Sequence, residues 1–212
     1  MTKHPMMAEP AMPVLEAQRL MGENDIRHLP VVGKGTQLLG LVSPERLLIQ
    51  PAKLDSLDVW EISRFLSELK LSDVMVPARD VVTIDEQETI EEAARIMVRN
   101  KVGCLPVVDD HRNIEGIITK TDLLAQLMEM LGARASGVRI TVRMPNVVGE
   151  TAKLMCAVGS KGWRISAFSG GPSPRNPDTW DAMIKVSGVT KEDVTAVVRS
   201  VEGHTIRDVR ET

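Results

Sequence analysis

Aromatic side chains are nearly missing from this 212-residue chain, which has three Trp, two Phe and no Tyr. Proteins that hold single-stranded nucleic acid stack its bases on such rings, so that mode of binding is not expected. A surplus of one charge is also lacking. The formal net charge of −3 gives no field that would gather nucleic acid or an anionic membrane. Cysteine is scarce: Cys104 and Cys156 form no CxxC pair and no cluster with histidine. Neither structural zinc nor a disulfide framework is expected, and a reducing, cytoplasmic setting fits. No apolar run approaches the ~18 residues of a membrane span. Met1-Thr2-Lys3-His4-Pro5 lacks the apolar stretch of a signal peptide. The four histidines, His4, His28, His111 and His204, are scattered. No Ser/His/Asp, metal-ligand or paired-carboxylate spacing is seen, so the reading is of a non-enzyme without catalytic or metal-binding residues.

What the chain does have is a repeat. Residues 14–48 laid over 90–124, a constant shift of 76, match without a gap at 12 of 35 positions, among them Leu29/Leu105, Pro30/Pro106, Val31/Val107, Val32/Val108 and Gly40/Gly116. Chance does not readily give this, and an internal repeat governs every later assignment. In the second copy the β-branched run Val81-Val82-Thr83-Ile84 predicts a strand. Thr89 and Glu92 predict a capping box, and Ile90, Ala93, Ala94, Met97 and Val98 predict one apolar helix face. Strands are expected from Gly103 to Val108 and Ile114 to Ile118, then a helix from Thr121 to about Met130. Each copy is thus β-α-β-β-α, and two such halves are expected to pack about a pseudo-twofold axis with clefts between them.

Within the second copy, Gly116-Ile117-Ile118-Thr119-Lys120-Thr121-Asp122 runs from an apolar strand into a helix start. Unpaired amides at such a turn receive phosphate readily. Thr119-x-x-Asp122 equally fits a capping box that satisfies the helix's own amides. Between the copies, residues 51–70 carry Ile62, Phe65, Leu66 and Leu69 at helical spacing, with Asp58, Glu61, Arg64 and Glu68 for solvent. Trp60 and Phe65 are read as packing residues rather than an active site.

The pattern changes beyond 132–137, read as a linker. Val138, Ile140, Val142 and Met144 alternate with polar residues as a half-buried strand. Asn146 is expected to cap a helix to about Val158, followed by strands from Trp163 to Phe168 and Trp180 to Val186. A helix opening at Thr190 buries Val194, Val197, Val198 and Val201 and ends at Gly203 as a C′ residue, before a last strand from His204 to Val209. This order, βαββαβ, is ferredoxin-like. Gly170-Gly171-Pro172-Ser173-Pro174-Arg175-Asn176-Pro177 reads as a mobile hairpin loop; no Gly-Lys-Ser/Thr follows, so a phosphate loop is not expected.

Leu-Pro-Val-Val followed by Gly-h-h-Ser/Thr-x-x-Asp, in tandem, resembles a pair of CBS domains, the Bateman module. Met1-Thr2 to Pro5 and Val74-Met75-Val76-Pro77 resemble the starts of its two copies. Residues 138–211 resemble an ACT domain, with Asn146-Val147-Val148-Gly149 where that family usually has Asp-x-Pro-Gly. The order of CBS pair and ACT-like domain is similar to bacterial acetoin-utilisation accessory proteins. The expectation is therefore an α/β (α+β) chain with repeat 1 at 1–50, a connecting helix at 51–70, repeat 2 at 71–131, a linker at 132–137 and an ACT-like domain at 138–212.

The resemblance implies a regulatory protein that binds an adenosyl ligand (AMP, ADP, ATP or S-adenosylmethionine), with no cofactor required. It implies a homodimer, a regulated enzyme partner, and no nucleic-acid or membrane partner. Asp122 would accept from the ribose hydroxyls, Thr119 and Thr121 would contact ribose or phosphate, and Lys120 would reach a phosphate. Val102 and Gly103 would line the adenine pocket, with Asp80 and Val82 on its other side. The first copy departs from the pattern: Ser43 aligns with Thr119, but Arg46 stands where Asp122 does, and an arginine accepts no hydrogen bond. Ser43 and Pro44 suffice as an N-cap and N1 pair. The expectation is one nucleoside site at Asp122 and a second cleft that is empty or altered. In the altered case Arg46, Arg27 and His28, beside Ile26, pair with phosphates; the alternative is that Arg27 and His28 are structural. The competing functional class is a non-catalytic oligomerisation module without a small ligand.

Overall fold

The structure is a computed structural model that describes residues 1–47 and 68–212. The helix expected across 51–70, with Trp60, Ile62, Phe65 and Leu66, lies almost wholly outside the described residues. Two compact units are present, Met1–Leu123 and Leu124–Thr212.

The first unit contains β1 (Thr2–Lys3), α1 (Val14–Glu23), β2 (Leu29–Val32), β3 (Leu38–Val42) and the one-turn α2 (Pro44–Leu47). These are followed by α3 (Leu71–Val74), β4 (Val76–Pro77), α4 (Ile90–Asn100), β5 (Cys104–Val108), β6 (Ile114–Thr119) and the start of α5 (Lys120–Met130). Helix α4 begins where Thr89 Oγ1 accepts from Glu92 N at 3.2 Å. The other half of the expected capping box does not form, because Glu92 turns its carboxylate to Arg95, whose Nε donates at 2.7 Å. Ala93 and Met97 are buried, but Val98 is 79% exposed. At 100° per residue Val98 lies roughly 120° from the centre of the Ala93–Met97 face, off the buried arc.

No strand forms over 81–84. Ile84 alone makes a parallel bridge to Val107, donating to Pro106 O and accepting from Val108 N, after which Asp85 turns the chain by accepting from Gln87 N at 2.8 Å. Ala8 repeats this bridge on Val31.

The leading strands are exchanged between repeats. β1 joins β6 and β5, with Thr2 opposite Ile117 and Lys3 opposite Gly116. β4 joins β3 and β2, with Val76 opposite Leu41 and Pro77 opposite Gly40. Leu71, at the sequence start of repeat 2, is accordingly buried with Val14, Ala17, Leu29, Val31 and Val42 of repeat 1. Gly40 and Gly116 permit both crossings. A Cβ at Gly40 would stand 2.7 Å from Val76 O, and one at Gly116 3.0 Å from Thr2 O.

Between the sheets, Leu38 N donates to Arg112 O and Ile114 N to Thr36 O, both at 2.9 Å. A shift of 76 converts each of these bonds into the other, so the Gln37–Asn113 bridge lies on the pseudo-twofold axis. The small core beside it, Val32, Leu38, Val108 and Ile114, obeys the same exchange.

The second unit contains β7 (Val138–Pro145), α6 (Glu150–Gly159), β8 (Arg164–Ser173), β9 (Asn176–Ser187), α7 (Lys191–Arg199) and β10 (Thr205–Glu211). Its antiparallel sheet has the order β10-β7-β9-β8, the ferredoxin-like arrangement. Val138, Ile140, Val142 and Met144 pack with Ala182, Ile184 and Val186 against Leu154, Val158, Val194 and Val198 of the two helices.

Three local expectations are corrected. Asn146 does not cap α6; its Nδ2 donates to Pro177 O at 2.9 Å, and Gly149, at φ 97°, takes the N-cap position. The glycines of the expected hairpin loop are strand residues, with Gly171 opposite Asp181 and Pro172 opposite Trp180, so only Pro174 and Arg175 turn. Helix α7 stops at Arg199 with Ser200 as its cap, ahead of Gly203. Residues 132–137 are not bare: buried Lys185 donates to Gly132 O at 2.9 Å, and Gly137 exchanges backbone bonds with Thr212.

Candidate functional site

Strand β6 pairs with β5 out to Thr119, which lies opposite Cys104, and the chain enters α5 at the next residue. The capping box is reciprocal. Asp122 N donates to Thr119 Oγ1 at 3.2 Å, while Thr119 N and Thr119 Oγ1 both donate to Asp122 Oδ2, at 2.7 and 2.8 Å. Asp122 therefore serves its helix through one oxygen. Its Oδ1 has no hydrogen-bond partner among the described residues, and half-buried Asp122 lines a cleft.

That cleft, of about 840 Å³, is lined by residues of both repeats. From repeat 2 come Gly103, Ile117, Thr119, Lys120, Thr121 and Asp122. Asn24, Asp25, Ile26, Arg27 and His28 come from the turn after α1. Thr2, His4, Pro5 and Met6 come from the segment that adds β1 to β6. Ile26, Arg27 and His28, expected at the other cleft, are thus brought to Asp122 itself. Val102, Asp80, Val82, Ser43 and Arg46 are not among the lining residues. Val102 packs with the Ile84, Met97 and Leu105 core. Asp80 and Val82 follow β4, whose partner is β3 rather than β6; the strand beside β6 is β1, and Thr2, His4, Pro5 and Met6 line the cleft instead. Sequence reasoning missed Thr2, His4, Pro5, Met6, Asn24, Asp25 and Ile117. The one signal for the first four was the likeness of Met1-Thr2 to Met75-Val76, which an exchange of leading strands turns into a site contact.

His28 is half-buried at the cleft wall. A Cβ on Gly103 would stand 3.2 Å from its Nε2. Burial depresses its pKa; Glu45 pulls it up, while Arg27 and Lys120 push it further down. Glu45 is itself held below the ordinary carboxyl range, first by a hydrogen bond from Ser43. In the first copy Ser43 therefore serves Glu45, and its carbonyl accepts from Arg46 N at 3.0 Å. Among the described residues no group of three or more His, Cys, Asp or Glu is placed to hold a metal ion. No described helix is long and apolar enough to cross a membrane.

Two β-α-β-β-α repeats interlocked about a pseudo-twofold axis, with a capped helix start opening into a shared cleft, define a tandem ligand-module architecture. The CBS-domain family model matches residues 1–52 and 71–129, more than half of the chain, and the chain belongs to the CBS-domain family. It is 32% identical over 126 residues to the uncharacterized protein MJ1225 of Methanocaldococcus jannaschii, a match that spans 58% of this chain and 44% of that one, less than half of the relative's length. Among solved structures it is similar to AcuB from Vibrio cholerae, with 34% identity and TM-score 0.52 over 63% of this chain and 90% of the other. It is also similar to CBSX2 of Arabidopsis thaliana in complex with AMP, with 25% identity and TM-score 0.50 over 60% of this chain and 92% of that one.

Proposed function

We propose that the CBS pair is a non-catalytic regulatory sensor that binds an adenine nucleotide or a related adenosyl ligand in the cleft at Asp122. The observation that carries this reading is the Oδ1 of Asp122, left over by the helix cap, on a residue that lines a cleft large enough for a nucleotide. A carboxylate is the side chain suited to a ribose diol, because it accepts from two hydroxyls and donates nothing. Thr119 and Thr121 stand beside it for ribose or phosphate, Lys120 for phosphate, and Gly103 leaves backbone open to a base. The AMP complex of CBSX2 supports the ligand class.

Binding regulates only if the ligand prefers one of two conformations. In this reading the ACT-like second unit, or a partner enzyme, responds to that preference. A calorimetric and thermal-shift panel of AMP, ADP, ATP, S-adenosylmethionine and amino acids tests it. Ligand at 100 times its dissociation constant adds about 2.7 kcal/mol, which at ~2–4 °C per kcal/mol raises Tm by about 5–11 °C. Flat responses to every adenosyl ligand would sink the reading.

A homodimer belongs to the same proposal. Leu124, Leu127, Met128 and Met130 of α5 are 48–63% exposed, a cluster that a second copy of this helix would cover. Sedimentation at tens of micromolar is expected to give twice the 23.3 kDa chain mass; a monomer there would remove the dimer from the proposal.

A further inference from the structure

Strand β7 turns Val138, Ile140, Val142 and Met144 to helices α6 and α7, so Arg139, Thr141 and Arg143 stand on the opposite face of the sheet. Two rows of side chains across that face differ in kind. In one, Arg143 lies opposite Asp181 and forks its carboxylate, through Nε at 2.7 Å and Nη2 at 2.6 Å. In the other, Arg139 lies opposite Lys185 on one side and Arg210 on the other. Cations set directly opposite one another destabilise a sheet, yet three adjacent strands here place them in line. Lys185 is only 3% exposed, and among the described residues its ammonium bonds a neutral group alone, the Gly132 carbonyl. Arg139 Nε is buried without a hydrogen-bond partner. Asp208 lies 2.9 Å from Arg210 Nε but 3.7 Å from Arg139 Nη2, so it satisfies one end of the row. Arg207, in the bulge of β10 between Ile206 and Asp208, adds a further positive charge that acts on Asp181. Arg139, Arg143, Lys185, Arg207 and Arg210 thus stand against Asp181 and Asp208, in a chain whose net charge is −3.

We propose that this face of the second unit docks an acidic helix of a partner protein, whose carboxylates neutralise the Lys185–Arg139–Arg210 row. Charge and spacing carry the inference together. Neighbouring strands lie about 4.7–4.9 Å apart, and side chains at i and i+4 of a helix about 5–6 Å. Same-face residues of an extended chain are roughly 6.6–6.8 Å apart, a poorer match. Guanidinium forks take carboxylates through paired hydrogen bonds, as Arg143 already does with Asp181 on the same face. The side chains of Arg139 and Arg210 are 39% and 65% exposed, so they make the contact while buried Lys185 adds its field. A second copy of this face does not serve, because a twofold contact would set cation against cation. Nor does single-stranded nucleic acid. Between its charges the face offers Thr141, Met183 and Ser169, where bases would need aromatic rings on which to stack. No residue of the row lines the nucleoside cleft, so the inference is independent of what that cleft binds.

The experiment is fluorescence anisotropy of the full chain with a labelled helical peptide bearing glutamate at every fourth position. Its glutamine counterpart and a single-stranded oligonucleotide of equal charge are the controls. The glutamate peptide is expected to bind at least about tenfold more tightly than either control, and less tightly as salt is added. Arg139→Glu is expected to weaken that binding by at least about tenfold. The same substitution sets an acid opposite Lys185, so the variant should melt at or above the wild type. A row that served structure alone would not lose the peptide while holding its melting temperature. Peptide binding that is absent from the wild type, or that survives Arg139→Glu, overturns the inference. Tighter binding of the oligonucleotide overturns it too, since the face would then be a general polyanion surface. If Arg139→Glu melts early, Arg210→Gln at the exposed end of the row decides: lost affinity upholds the docking site, and undiminished affinity removes it.

Discussion

Gly40→Ala is expected to lower the melting temperature more than any other single alanine introduced at a glycine of the first unit, and Gly116→Ala is expected to lower it less while weakening ligand binding more. Both glycines sit where a leading strand crosses to the other repeat's sheet. At Gly40 the added Cβ stands 2.7 Å from the Val76 carbonyl oxygen and 2.5 Å from Met75 Sδ. The sulfur can swing away, but the carbonyl belongs to a strand whose neighbour Leu71 is fully buried, so β4 cannot retreat without lifting Leu71. Overpacking of this kind costs about 1–3 kcal/mol, or roughly 2–12 °C at ~2–4 °C per kcal/mol. At Gly116 the same atom meets Met1 Sδ at 2.9 Å and Thr2 O at 3.0 Å. Both residues of β1 are exposed, whereas both of β4 are half-buried, so β1 is displaced at lower cost. The segment displaced, however, carries Thr2, His4, Pro5 and Met6 into the cleft. Differential scanning fluorimetry of both variants, with AMP titrated into each, separates these effects. A Gly40→Ala protein that melts with the wild type would mean that β4 yields freely, and the account of the crossing would be wrong.

The contrast between these two glycines also marks what could be read from the chain and what could not. The shift of 76 was visible because the repeats share side chains. It carried the strand pairs, the Thr119–Asp122 cap and the equivalence of Arg46 with Asp122 without any coordinates. The alternation of Val138, Ile140, Val142 and Met144 located the second sheet's buried face for the same reason: a half-buried strand writes its geometry into every second residue. The exchange of β1 and β4 left no such mark. Two-residue strands have no period, and pairing across more than a hundred residues, as between Thr2 and Ile117, is not encoded in local pattern.

Assigning Asp80 and Val82 to the Asp122 cleft assumed that each repeat supplies its own leading strand. Once the strands cross, that place goes to Thr2, His4, Pro5 and Met6. Arg27 and His28 were legible as basic residues, but their place beside Asp122 depends on the interlock at the Gln37–Asn113 bridge, which joins two turns of no distinctive composition. At Asn146 and at Gly170-Gly171, residues with strong turn preferences were read as local punctuation. Long-range contacts, Asn146 to Pro177 and Gly171 to Asp181, override that preference, because a continuous ladder satisfies more backbone than a loop would.

Asp122→Ala is expected to lower affinity for the adenosyl ligand by at least about a hundredfold, and Arg46→Ala to change it by less than about threefold. A hydrogen bond to a charged acceptor contributes about 1.5–3 kcal/mol, and a ribose offers two hydroxyls to one carboxylate. Alanine also removes the acceptor that holds Thr119 N and Thr119 Oγ1, and loss of a cap costs about 0.5–2 kcal/mol of stability. A fall in affinity with Asp122→Ala alone would therefore mix recognition with a frayed helix start. Asp122→Asn separates them. Its amide oxygen can still accept from Thr119, so melting should stay near the wild type, while its NH2 is turned to the cleft and accepts nothing from a ribose hydroxyl. Affinity should then fall nearly as far as with alanine. An asparagine variant that melts and binds like the wild type would reduce Asp122 to a capping residue. If Arg46→Ala abolishes binding while both Asp122 variants keep it, the nucleoside lies in the pseudo-symmetric cleft, where Glu45 and Ser43 would have to supply the acceptors that the first-copy sequence otherwise lacks.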